Sequence, residues 1–145
     1  MGGKAGGPFV GAYSASKHGL EGFSESLRRE LMLYGIDVII VGPGSVATPI
    51  WDKAEQADLS VYANTDYVES AQRLQKYMVE NGRKGYPPEK VGEVVLQALT
   101  TPNPRVRYAV IPGSSLRRIV QGLLPKRVVD RIIARNLGFK PVQKS

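Results

Sequence analysis

The sequence predicts an α/β fold, a partial doubly wound parallel sheet with helices on its faces, and three features carry that expectation. A long amphipathic stretch runs from about Ser14 to Tyr34 and stops at Gly35. The apolar run Val38 to Val41 follows at once and is closed by Gly-Pro-Gly, which suits a strand buried on both faces. A second run, "RVRYAVIPG" at residues 105 to 113, reads as another short strand ending in a turn. Helix, glycine turn and buried strand make the αβ half of a parallel unit. Two strands are too few for a stable sheet of this kind, so the chain reads as part of a larger domain.

The elements follow in order. Residues 1 to 11 hold five glycines and one proline and should be loop. In the first helix Leu20, Phe23, Leu27 and Leu31 recur at three- and four-residue steps and make one apolar stripe, with Glu21, Glu25, Arg28, Arg29 and Glu30 largely off it. Residues 45 to 63 have no clear period. Residues 64 to 81 look helical, opened by Asn64 or Thr65 as a cap, and "GRKGYPP" breaks the chain before another helix from about Pro88 to Leu99. The C-terminal remainder is helical and amphipathic: Ile119, Val120, Leu123, Leu124, Val128, Val129, Ile132 and Ile133 recur near helical spacing, interrupted at Pro125. There is no internal repeat.

Composition narrows the chemistry. The 145 residues, 42% of them hydrophobic, suffice for one domain with a core. The absence of cysteine rules out disulfides, zinc-thiolate sites and a cysteine nucleophile, and His18 as the single histidine argues against a multi-histidine metal site or a serine-histidine triad. No metal site is expected. The net charge of +7 is unevenly spread: residues 105 to 145 hold ten Lys/Arg against Asp130 alone, whereas residues 1 to 104 are slightly acidic. No run approaches the roughly 20 apolar residues that span a bilayer, and the N-terminus lacks a secretory apolar region. These features point to a soluble, intracellular, cytoplasmic protein.

The stretch "GAYSASKHGLEGF" places Tyr13 and Lys17 four residues apart at the start of the first helix, hence on one face. An ammonium beside a phenol stabilises the phenolate and so turns a tyrosine into a usable proton donor or acceptor. Such a pair in isolation is far more often a solvated surface contact. The surrounding residues add weight: "YSASK", "HGLEGFSESLRREL" and then "GIDVIIVGPGSVATPI" resemble the C-terminal half of a classical short-chain dehydrogenase/reductase. Its Tyr-x-x-x-Lys and its Pro-Gly-x-x-x-Thr match Tyr13, Lys17, Pro43, Gly44 and Thr48 in order and separation.

The resemblance implies a Rossmann-type sheet lacking its N-terminal strands, and an NAD(P)-dependent oxidoreductase. Carried over by position, Tyr13 is the general acid/base, and Lys17 its electrostatic partner and ligand of the nicotinamide ribose. Pro43, Gly44, Ser45, Val46 and Thr48 line the nicotinamide, beyond the carboxyl end of a strand where ligands of open α/β sheets bind. Phe9, Val10 and Gly11, with Pro49, Ile50 and Trp51, fall where the family builds its substrate pocket, and their apolarity points to a hydrophobic alcohol or ketone. Trp51 reads equally as packing. The whole chain, 1–145, becomes the C-terminal portion of an NAD(P)-binding domain, with 47–86 as substrate lid and 114–145 as basic amphipathic helices. The family's phosphate loop and catalytic serine belong upstream of Tyr13, and no serine occurs between Met1 and Ala12. The isolated chain is therefore expected to be an inactive fragment, and NAD cannot be told from NADP. The 14–34 helix resembles one that pairs between subunits, implying a homo-oligomer.

The basic tail supports a different class of reading, a non-catalytic module docking onto a full-length relative or an anionic membrane surface. Its eight aliphatic residues more often mean core, cleft cover or subunit interface, and no aromatic-basic platform accompanies it for nucleic acid. His18 points to another helix face than Tyr13 and takes no catalytic role.

Overall fold

The computed structural model of the chain describes residues 5–111 and 124–139. They form two compact units, one from residues 5–47 and 85–111, the other from 48–84 and 124–139.

The first unit opens with helix α1 (Gly11–Leu31), followed by a 3₁₀ turn over Met32–Tyr34. Gly35 ends it in the left-handed conformation, φ 65°, where a side chain would be strained, and the Ile36 amide donates back to the Leu31 carbonyl at 3.2 Å. Strand β1 (Ile40–Pro43) lies two residues beyond the expected start because it forms only where a partner exists. That partner is β2 (Arg107–Val110), parallel and in register Ile40 with Arg107, Val41 with Tyr108, Gly42 with Ala109 and Pro43 with Val110. Helix α4 (Pro88–Thr100), with proline in its first turn, packs on both strands and completes a β-α-β unit. The fold is thus α/β with a parallel, partial Rossmann-type sheet, two-stranded among the described residues.

Two expectations for this unit change. Strand β1 is half-buried rather than buried on both faces, since among the described residues it has one strand neighbour. The apolar stripe of α1 is split rather than buried as one: Leu27 and Leu31 are half-buried but Leu20 is 56% and Phe23 64% exposed, while Ser14 is buried and Glu21 and Ser24 are half-buried.

The second unit is helical. Residues 45 to 63, without period in the sequence, contain the short helix α2 (Ile50–Glu55) and a 3₁₀ turn over Ser60–Tyr62. Helix α3 (Val68–Arg83) begins later than expected because Thr65 caps a turn instead: its hydroxyl donates to the Tyr62 carbonyl at 2.9 Å and accepts from the Tyr67 amide at 3.2 Å. Ser70, Ala71, Val79 and Gly82 of α3 are buried. Helix α5 (Lys126–Leu137) starts directly after Pro125 and packs on α3, with Leu137 buried and Phe139 edge-on to Tyr67 at a centroid distance of 6.5 Å. Of the aliphatic residues expected in the C-terminal helices, Ile119, Val120 and Leu123 lie outside the described residues. Among the described residues no helix is long and apolar enough to cross a membrane.

Candidate functional site

Helix α1 begins at Gly11, three residues before the sequence suggests, so Tyr13 stands in its first turn. The chain enters through Phe9, whose φ of 63° is a left-handed conformation that costs a side-chain-bearing residue roughly 1–2 kcal/mol. The Val10 carbonyl then accepts the Ser14 amide at 2.9 Å and closes the first turn. Ser14 is buried, which anchors one side of the helix start and leaves Tyr13, 57% exposed, on the outside. The Lys17 ammonium lies 5.5 Å from the centre of the Tyr13 ring, within the range over which a cation is attracted to an aromatic face. The i, i+4 expectation is met: cation and phenol share one accessible face. The neighbouring polar side chains bond the helix backbone. His18 Nδ1 donates to the Ser14 carbonyl at 2.7 Å, and Ser16 Oγ donates to the Tyr13 carbonyl at 2.8 Å.

The end of β1 is closed by backbone contacts. The Gly44 amide donates to the Val110 carbonyl at 2.8 Å, extending the strand pair by one residue. Next, Tyr86 donates its amide to the Ser45 carbonyl at 3.1 Å and accepts the Ala47 amide at 2.9 Å, so two bonds flank Val46. Gly85 permits this approach: a β-carbon there would overlap the Ser45 carbonyl and the Val46 nitrogen. Residues 43–46 are thereby fixed as a narrow ledge at the carboxyl end of the strand, in the same unit as Phe9, Val10, Gly11, Tyr13 and Lys17.

Thr48, Pro49, Ile50 and Trp51 belong to the helical unit. The Thr48 and Pro49 carbonyls accept the Trp51 and Asp52 amides at 3.3 and 3.1 Å and start α2. Ile50 is 61% exposed, whereas Trp51 is half-buried with its indole against Gly82 of α3.

Three features near these residues had no sequence signal. Arg107 of β2 reaches back over Gly42 to pair with Glu21 of α1, the two side chains only 27% and 20% exposed. Glu21 was expected with the outer charges of α1; its partner lies 86 residues away. Beside this pair Ser24, Arg28, Val38, Ile40 and Val106 line a cavity of about 150 Å³, so α1 meets the strands through long side chains rather than close packing. In the helical unit, Arg83 donates to Asp52 and Glu55, and its guanidinium holds the Glu55 carboxyl below the ordinary carboxylate range. Ser60 does the same for Asp58 through its hydroxyl and then its amide. Among the described residues no group of three His, Asp or Glu could hold a metal ion.

Comparison with known proteins adds a family to this geometry. Residues 1–59 match the short chain dehydrogenase family. The chain is 37% identical over 130 residues to an NADPH-dependent 3-dehydrocapnine reductase of Ornithobacterium rhinotracheale, covering 90% of this chain and 46% of that protein. It is 36% identical over 112 residues to a 3-ketodihydrosphingosine reductase of Bacteroides thetaiotaomicron, covering 77% and 41%. It is 32% identical over 149 aligned positions to human retinol dehydrogenase 5, covering 92% and 45%. The chain spans about half the length of the curated relatives it matches.

Proposed function

Because the chain belongs to the short-chain dehydrogenase/reductase family of NAD(P)-dependent oxidoreductases, we propose that its protein interconverts a hydrophobic alcohol and ketone, with Tyr13 moving the proton. The observation that carries this reading is the accessible Tyr13 phenol with the Lys17 ammonium 5.5 Å from its ring centre, held by the first turns of α1. Tyr13 Oη donates a proton to the substrate oxygen during reduction and accepts it back during oxidation. Lys17 sets its ammonium near the Tyr13 ring and offers N–H donors to ribose hydroxyls. The donor set fits a nicotinamide coenzyme: a lysine, a phenol, and a rigid ledge of Pro43, Gly44, Ser45 and Val46, with Thr48 two residues further along the chain. When bound, that coenzyme supplies or takes up the hydride. Phe9, Val10 and Gly11 of the strand-bearing unit and Pro49, Ile50 and Trp51 of the helical unit are the residues assigned to the substrate, and their apolarity suits a hydrophobic one. The alcohol and the ketone in the names of two relatives, retinol and 3-ketodihydrosphingosine, agree with such a pair of substrate classes.

A second reading draws on surface. Leu20 and Phe23 stand exposed on α1, which favours docking of a second copy or a full-length relative there, and Arg127, Arg131 and Arg135 line one exposed side of α5, which favours an anionic surface. One substitution separates catalysis from docking. Tyr13→Phe keeps the ring and the cation contact but loses the transferable proton, so NADPH- or NADH-linked reduction of 2-decanone should fall about 10³-fold, within the range of general acid catalysis. Self-association measured by sedimentation should not change. Turnover that survives Tyr13→Phe would overturn the catalytic assignment.

A further inference from the structure

Helix α2 is six residues long and follows Pro49 without a side-chain cap, far short of the roughly 12–15 residues a helix needs to persist alone. Its place is set from outside, and α3 touches it at three separated points. At its C-terminal end one nitrogen, Gln75 Nε2, donates to the carbonyls of Ala54, Glu55 and Ala57 at 2.8, 3.3 and 3.1 Å, gathering the orphan acceptors of a helix terminus. Along its side the Arg83 guanidinium bonds Asp52 Oδ1 at 2.7 Å and both Glu55 oxygens at 2.6 and 3.2 Å. At its start the Trp51 indole lies against Gly82, where a β-carbon would overlap the six-membered ring. Gly82 is in the last turn of α3 with an ordinary helical backbone, where glycine is the poorer choice on propensity. The indole, not the backbone conformation, accounts for it.

Three contacts at an end, a side and a start determine both where a rigid element lies and how it is rolled. We propose that Gln75, Gly82 and Arg83 are positioning residues for the substrate wall: they touch no ligand, but they hold α2 so that Trp51 is sequestered against α3 and Ile50 is presented outward. The inference rests on the reading of Pro49, Ile50 and Trp51 as part of the pocket. It extends specificity to α3, because the reach of Ile50 is then written in residues 25 to 33 positions further along the chain.

Trp51 is the single tryptophan, so tryptophan fluorescence reports on its surroundings, the Gly82 contact among them. In the protein carrying this sequence, Gly82→Ala should shift Trp51 emission to the red and raise its quenching by acrylamide. Affinity for 2-decanone should weaken about tenfold, since small misplacements of positioning groups have effects of that order. NADPH affinity should change less, by no more than about twofold, since of the residues assigned to the coenzyme only Thr48 lies in the helical unit. Gln75→Ala, which creates no clash, should move emission and ketone affinity in the same direction by less, and Arg83→Lys should retain more of both than Arg83→Gln. Emission unchanged in both Gly82→Ala and Gln75→Ala overturns the inference. An emission shift with unchanged ketone affinity overturns the assignment of residues 49–51 to the pocket, and the positioning role with it, while leaving the Tyr13 chemistry standing.

Discussion

The strand-bearing unit and the helical unit are held together by different materials. In the first, Ala98 of α4 and Val110 of β2 are buried, and beside them the links between elements are polar or made by backbone: the β1–β2 ladder, the Tyr86 bonds around Val46, and the half-buried Glu21–Arg107 pair. Large apolar side chains stand outside in both units, among them Phe23 and Leu33 in the first and Ile50 and Val61 in the second. In the second, α3 buries Ala71 and Val79, α5 buries Leu137, and the ion pairs lie on the surface. The strand-bearing unit should therefore respond strongly to the loss of a few specific links. The helical unit should tolerate loss of its charges and respond to changes in shape.

The largest effect is expected at Gly85. A β-carbon there meets peptide atoms of Ser45 and Val46, which cannot rotate away as a side chain can. Gly85→Ala should cost about 3 kcal/mol, the upper end for overpacking, and open both Tyr86 bonds. Denaturant unfolding checks it; a loss below about 0.5 kcal/mol, the scale of neutral surface changes, would show that the ledge yields and is not the rigid feature described.

The Glu21–Arg107 pair comes next and sharpens the contrast with Arg83. Arg107→Met leaves a half-buried carboxylate without its partner, and Glu21→Gln leaves the guanidinium; each should cost about 1–2 kcal/mol, less than a fully buried pair because some water reaches both. The double variant should recover part of that loss, a coupling of about 1 kcal/mol in a double-mutant cycle. Since α1 meets the strands chiefly through such side chains, both single variants should also reduce turnover at the proposed Tyr13 site. Equal costs at Arg107 and at the exposed Arg83 would erase the distinction between the units.

What could be read from the sequence follows the range of the interactions involved. Tyr13 and Lys17 are brought together by one helix and needed only their spacing. The stop at Gly35 and the helix beginning at Pro88 are likewise local. Strand β1 was legible as an apolar run, but its limits are set by pairing with residues 107–110, and its burial by how many strands flank it. Helix α2 was illegible because its partners Gln75, Gly82 and Arg83 lie some twenty to thirty positions onward. Glu21 was misplaced for the same reason: on an isolated helix it belongs with the outer charges, and only Arg107 draws it inward. The family motif located Pro43 to Thr48 without showing that Gly85 and Tyr86 make the ledge.

The smallest effect expected distinguishes the units by pH. The Glu55 carboxyl is held below its ordinary 4.5, first by the hydrogen bond from Arg83 and then by its charge. A carboxyl lowered on folding stabilises the fold above its ordinary value and loses that contribution as pH falls through the folded value. The clamp on α2 is thus intact at neutrality and released in acid below pH 4.5, with the Asp58 turn weakening in the same direction. In the strand-bearing unit the sign reverses: Lys90 is raised above 10.5 by its hydrogen bond to Glu93, so its contribution is present below that value and disappears as pH climbs beyond it. Trp51 emission followed through mild acid should shift red in the native chain, and Arg83→Gln, already loosened at neutral pH, should show a smaller step. All of these groups are exposed, so the shift should be modest and should shrink further with added salt. A step of equal size in Arg83→Gln would mean that acid acts on α2 through some other group, and the surface charges of the helical unit would then do no more than decorate a fit made by Trp51 and Gly82.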